Sequence, residues 1–135
     1  MTEHEEQAAV FCWADSHVDK APCLELLHSS LNGIPLPGSQ TQRAKIINYM
    51  KKEGMLPGVP DVFLPYPAKG YHGLYLELKK SEREEPTEGQ RFFMERAESY
   101  GYACYVAGGA MRAVEILKEY LDIECDCVAC QLVTL

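Results

Sequence analysis

The residues with the clearest chemistry lie in positions 58–79. Gly58-Val59-Pro60-Asp61-Val62-Phe63-Leu64 is followed by a loop rich in proline and glycine, then by Gly73-Leu74-Tyr75-Leu76-Glu77-Leu78-Lys79. Two short apolar runs around turn formers predict a β-hairpin. In the second run the strand period of two puts Leu74, Leu76 and Leu78 on one face, and Tyr75, Glu77 and Lys79 on the other. The leucine face belongs to the core, and the opposite face carries a carboxylate beside an ammonium. Asp61 opens the partner strand, so the hairpin register can bring its carboxylate to Glu77. Two crowded carboxylates repel unless a cation lies between them. Hard oxygen donors suit Mg²⁺ or Mn²⁺. A lysine at such a pair can orient a water or offset charge on a phosphate.

The flanking elements must position this hairpin. Residues 2–15 have helical spacing in Gln7, Val10, Phe11 and Ala14. Glu3, Glu5 and Glu6 in the first turn complement the helix dipole. After Pro22, the run Leu24-Glu25-Leu26-Leu27-His28 predicts a short strand, with His28 a structural strand residue. Asn32-Gly33 signals a turn, and Pro35, Pro37 and Gly38 keep the chain irregular. Ser39 caps a second helix running to about Glu53, with Ala44, Ile47 and Met50 as its apolar stripe and Gly54 as its stop. Thr87-Glu88-Gly89-Gln90 is a capping box before a helix with Phe93, Ala97 and Tyr100 on one side. Gly101 ends that helix, residues 102–107 form the last strand, and Ala113, Ile116, Leu117 and Tyr120 stripe a final helix. In the hairpin loop Tyr66 is expected to pack, while Lys69 and His72, expected next to the acidic pair, are left open.

These motifs resemble the VRR-NUC family within the PD-(D/E)xK nuclease superfamily. The resemblance rests on Gly58-Val59-Pro60-Asp61, on the Glu77-Leu78-Lys79 strand, and on Gln90 followed by Gly101-Tyr102, and it spans residues 3–121. It implies an α/β, restriction-endonuclease-like core with a central mixed sheet of about four strands flanked by helices. The expected order is helix, strand, strand, strand, helix, strand, with the second helix inserted before the hairpin. It implies a metal-dependent deoxyribonuclease. Asp61, Glu77 and the Leu78 carbonyl would hold Mg²⁺ or Mn²⁺, Lys79 would face the water or the developing charge, and Gln90 would orient water or a phosphate oxygen. An acid on the first helix, followed by a glutamine, leans over the metal in this family. Glu3, four before Gln7, matches best, with Glu6 second and Glu5 still open. The family's Asn-Gly pair followed by a second glycine is here Asn32-Gly33-Ile34, so that loop receives no functional residue. Stand-alone members look like structure-specific endonucleases of phage or prophage origin that act on branched DNA such as Holliday junctions, and they are similar in being homodimers. The alternatives are a flap or end-processing nuclease, a catalytically idle DNA-binding module, and a thiol or zinc protein organised by the tail.

Charge and length bound these readings. The 135 residues suit one domain, 1–124, with a cysteine-containing tail at 125–135, and the 47% apolar fraction supports a folded core. The net charge of −7 opposes nucleic-acid binding, yet residues 41–80 hold seven bases against three acids, a net +4 that leaves −11 elsewhere. Arg43, Lys45, Lys51, Lys52, Lys69 and Lys80 are therefore candidate DNA contacts, the plainer reading being a solvated helix face. No apolar run approaches the roughly 20 residues that cross a bilayer. The acidic start lacks the basic beginning of a signal peptide, so a cytoplasmic location with reduced cysteines is expected. In the tail, Cys125-Asp126-Cys127-Val128-Ala129-Cys130 offers three soft ligands where zinc wants four. Cys23 or His28 could be the fourth but nothing in the spacing selects either, so unligated thiols are expected.

Overall fold

The chain builds a four-stranded mixed sheet around the predicted hairpin. The computed structural model describes residues 1–81 and 83–125. Helix α1 is Glu3–Asp15; a 3₁₀ helix, Pro22–Leu26, precedes β1 (His28–Ser29), α2 (Gln40–Lys52), β2 (Val62–Leu64), β3 (Leu74–Lys79), α3 (Glu88–Ser99), β4 (Ala103–Gly108) and α4 (Ala110–Leu121). The sheet order is β1-β2-β3-β4, antiparallel at the first two joins and parallel at β3-β4. The expected α/β class, mixed sheet and inserted second helix are all present.

Local chemistry starts the helices. Thr2, Ser39 and Thr87 each accept from the backbone three residues on, while Glu5, Gln42 and Gln90 return a bond to the cap residue's N–H. The leucine face of β3 is fully buried, with Leu74, Leu76 and Leu78 each 1% exposed. Helices α1 and α4 pack together against it, and the whole α4 stripe of Ala113, Ile116, Leu117 and Tyr120 is buried. On the opposite sheet face α3 sets Phe93 edge-on to Tyr75. Met94 and Ala97 are its buried residues, whereas Tyr100 closes the helix and is exposed.

Three expectations are corrected. The strand expected at 24–28 shrinks to His28–Ser29, because Pro22 starts a 3₁₀ turn that buries Leu24 against the core. The apolar stripe of α2 meets no core, and none of its residues is buried. Ile47 and Met50 instead line a groove of about 360 Å³ with Leu31, Ile34, Leu36 and Met55. The loop at 65–73 closes the hairpin beyond the Leu64↔Leu74 pair, at the end away from Glu77. Lys69 and His72 therefore stand apart from the acidic pair: Lys69 is exposed, and His72 packs edge-on to Tyr102.

This division between core and inserted helix has a measurable consequence. Leu76→Ala should cost about 2–5 kcal/mol in denaturant unfolding, and Ile47→Ala under about 1 kcal/mol. Equal costs would mean that α2 is part of the cooperative core.

Candidate active site

The ladder between β2 and β3 stops at Val62↔Leu76. The preceding Pro60, fully buried, has no N–H for another rung. The edge of β3 beyond Leu76 is thus left to side chains. Asp61 Oδ2 accepts the Leu78 N–H at 2.8 Å, and Glu77 Oε2 accepts the Asp61 N–H at 3.2 Å. Each carboxylate satisfies a backbone donor of the other's strand, so the two are locked face to face. N–H and C=O of one strand residue point to the same side, which aims the Leu78 carbonyl toward Asp61 as well.

Helix α3 supplies the third wall. Gly58 comes so close to it that a Cβ there would lie 2.5 Å from the Gly89 carbonyl oxygen, and its φ of +93° also favours glycine. Gln90 follows Gly89. Its Oε1 accepts the Thr87 N–H at 2.9 Å, while Nε2 donates to Glu77 Oε1 at 2.8 Å. One side chain thus caps its helix and ties it to the acid. Lys79 Nζ is 3.8 Å from the same Glu77 oxygen, and its side chain is only 11% exposed.

Glu77 is 3% exposed. Burial first, then the Asp61 charge and hydrogen bonding, push its pKa up from 4.5 to about 8, against the opposing effects of Lys79 and the Asp61 N–H. Ionising both acids beside a single ammonium is thus unfavourable, and the pocket takes up a proton on Glu77 where no cation compensates. The oxygen-only donor set of Asp61, Glu77 and the Leu78 carbonyl fits a hard divalent cation.

The first-turn acids separate by partner. Glu5 closes the α1 capping box. Glu6 Oε2 accepts the Ala110 N–H at 2.6 Å, which caps the start of α4. Glu3, half-buried, lines a cleft of about 120 Å³ with Gln7, Asn32, Asp61 and Leu78. Among the described residues, no cluster of three or more His, Cys, Asp or Glu side chains is poised to ligate a metal. Glu3 is therefore a wall of the acidic cleft that also holds Asp61. The α4 cap made by Glu6 escaped sequence reasoning, since its partner lies 104 residues away.

The candidate DNA contacts divide in the same way. Arg43, Lys45, Lys51 and Lys52 are exposed on α2, and Lys80 is exposed just after β3. Lys51 lines the apolar groove, which shares Asn32, Gly33 and Ile34 with the acidic cleft. Lys51 thus stands in a groove that adjoins the acidic cleft, Lys80 follows Lys79 in the chain, and Lys69 lies at the far end of the hairpin. The tail motif is only partly visible: Cys125 is described, and Cys127 and Cys130 lie outside the described residues.

A hairpin that seats an aspartate against the glutamate of a Glu-x-Lys strand, followed by a helix and a parallel strand, defines a nuclease-family α/β domain. The similarity extends over nearly the whole chain in a solved structure described as "VRR_NUC domain protein", 27% identical, with a TM-score of 0.72, covering 90% of this chain and 89% of that one. The chain has the VRR-NUC family fold. No protein-family model and no curated protein matches it. No helix among the described residues is long and apolar enough to cross a membrane.

The raised acid gives a pH dependence with a definite sign. With Glu77 at about 8 in the folded protein and near 4.5 unfolded, the native state binds the extra proton between those values. Its stabilising contribution is complete below about 4.5 and is lost as pH rises through about 8. In chelator, the melting temperature should fall between these limits for the native sequence. In Glu77→Gln that part of the slope should vanish. An unchanged slope would show that Glu77 titrates normally.

Proposed function

We propose that this domain is a Mg²⁺- or Mn²⁺-dependent endonuclease that hydrolyses DNA phosphodiesters, with branched DNA such as a four-way junction as its substrate. The observation that carries the reading is the locked Asp61–Glu77 pair with Lys79 and Gln90 on the same glutamate. Asp61, Glu77 and the Leu78 carbonyl would hold the metal, which when bound supplies a Lewis acid for the phosphate and acidifies water. Glu3 faces the cleft from α1 and contributes negative charge, directly or through water. Gln90, anchored by its own cap, holds Glu77 in one rotamer and so fixes the direction in which its carboxylate is offered. Lys79, mostly withdrawn from solvent, offsets negative charge developing on the phosphate or orients the attacking water. Arg43, Lys45, Lys51, Lys52 and Lys80 supply the nonspecific phosphate contacts that an acidic protein otherwise lacks.

The test is cleavage of linear, flap and four-way DNA in Mg²⁺ and in Mn²⁺. Junction cutting in either metal is expected, with Asp61→Asn, Glu77→Gln and Lys79→Ala each slower by about three orders of magnitude or more while remaining folded. Turnover close to normal in any of the three would overturn the assignment. Preferential flap or end cutting would replace the substrate class. Binding without cutting in either metal would make this an idle DNA-binding module.

Two symmetric cuts in a four-way junction call for two active sites, and we propose a two-fold homodimer. Leu31 and Ile34 support this reading, being 57% and 40% exposed beside the acidic cleft. Light scattering should give twice the chain mass, and Leu31→Asp with Ile34→Asp should give the monomer. A dimer that survives both charges would move the interface elsewhere.

A further inference from the structure

Helix α2 presents uncovered apolar side chains among cations. None of its 13 residues is buried, and among the described residues it packs substantially on no other helix or strand. Its capping box at Ser39 starts it, yet a helix of this length is marginal without packing. It still carries Ile46, Ile47, Tyr49 and Met50, with Tyr49 70% exposed. Ile47 and Met50 line the groove that adjoins the acidic cleft. Ile46, Tyr49 and Met50 line a second, shallow recess of about 240 Å³ with Lys45 and Glu53. Met50 belongs to both, so recess, groove and cleft are joined through shared lining residues.

Charge selects what covers this face. Helix α2 holds Arg43, Lys45, Lys51 and Lys52 and no acid, and Glu53 follows at its C-cap. A second copy laid on it face to face would set these cations against an identical set, whereas a polyanion is attracted. Lys45 lies four residues before Tyr49 and Lys52 three after, so the three share one side of the helix. The two lysines are roughly 10 Å apart along the axis, with the ring between them. We propose that Tyr49 stacks on an unpaired base at a DNA branch point while Lys45 and Lys52 hold the adjoining phosphates. The inference rests on the branched-DNA reading above and names the side chain that tells a branch from plain duplex.

The division of roles follows from what each DNA form exposes. In an intact duplex the base faces are stacked inside, so an exposed ring meets only backbone and groove edges. At a branch point a base that has already lost its partner costs least to unstack. An aromatic face then holds it whatever its identity, because every base has a π-face. That suits recognition of structure without recognition of sequence. The lysines differ, since neutralising phosphates helps duplex and branch alike. Ile46 and Met50 give the recess apolar walls against which the base sheds water. The Tyr49 hydroxyl offers one other anchor, a hydrogen bond to phosphate, which phenylalanine lacks.

The test is binding by the full chain, measured in chelator so that it does not depend on cutting. The probes are a four-way junction with 2-aminopurine at its branch point and a linear duplex of the same sequence. The native chain should prefer the junction and change the 2-aminopurine emission. Tyr49→Ala should weaken junction binding about tenfold or more, duplex binding by less than about twofold, and abolish the emission change. Tyr49→Phe should behave as the native chain. Lys45→Ala with Lys52→Ala should weaken binding to both DNAs and lower the salt slope by about two. Tyr49 is exposed, so its variants should keep the native circular dichroism and melting temperature. Equal losses on junction and duplex would overturn the proposal, as would a native chain with no junction preference or a Tyr49→Phe as weak as Tyr49→Ala. Loss of self-association in Tyr49→Ala would give this face to a second copy instead. Junction binding that needs Tyr49 in a chain that cuts no DNA would support the proposal and sink the nuclease reading. Normal cutting with binding indifferent to Tyr49 would do the reverse.

Discussion

The reciprocal bond between two strand neighbours is the constraint on which the site depends. Asp61 holds the Leu78 N–H, and Glu77 holds the Asp61 N–H. Buried backbone donors must be satisfied, and here carboxylates satisfy them where a proline has ended the ladder. The arrangement keeps two acids at close range in a nearly dry pocket, an unfavourable state reflected in the raised Glu77. The surrounding structure tolerates that cost by anchoring Glu77 to Gln90 and setting Lys79 beside it. The fold therefore fixes two acid groups so close that, without a cation, Glu77 holds a proton up to about pH 8, a proton that a bound cation would displace.

Much of this was legible because it is local. Leu74, Leu76 and Leu78 alternate with the acid and the base, and a one-residue slip would have put Glu77 in the leucine core. The Asp61–Glu77 juxtaposition follows from that register. The caps at Ser39 and Thr87 were legible from residue type and, for Thr87 and Gln90, from their spacing of three, whereas the bond from Gln90 to Glu77 depends on how α3 packs on β3.

What escaped was nonlocal. Glu6 caps a helix 104 residues away, and His17 meets Cys125 across 108 residues, so no window of sequence contains either pair. His28, a candidate fourth ligand, is exposed and stacks edge-on to Phe63. For α2, periodicity identified an apolar stripe but could not say what covers it, and in this chain it lines an open groove. At 24–28 the apolar run read as strand because short apolar runs do not distinguish strand from turn of helix, and Pro22 decided the matter.

The electrostatic design is a division of labour within one acidic chain. Residues 41–80, which carry the acidic pair, hold seven bases against three acids, and the five on α2 and at Lys80 are exposed. Local potential near the pocket, not net charge, governs an approaching phosphate within a Debye length of about 8–10 Å. The central claim is that the locked carboxylate pair is a divalent-metal site. The most direct test is an anomalous difference map from crystals of the protein grown with Mn²⁺. The account predicts a peak between the Asp61 and Glu77 carboxylates, beside the Leu78 carbonyl. A well-ordered pair with no peak there, at Mn²⁺ concentrations that support cleavage, would contradict it.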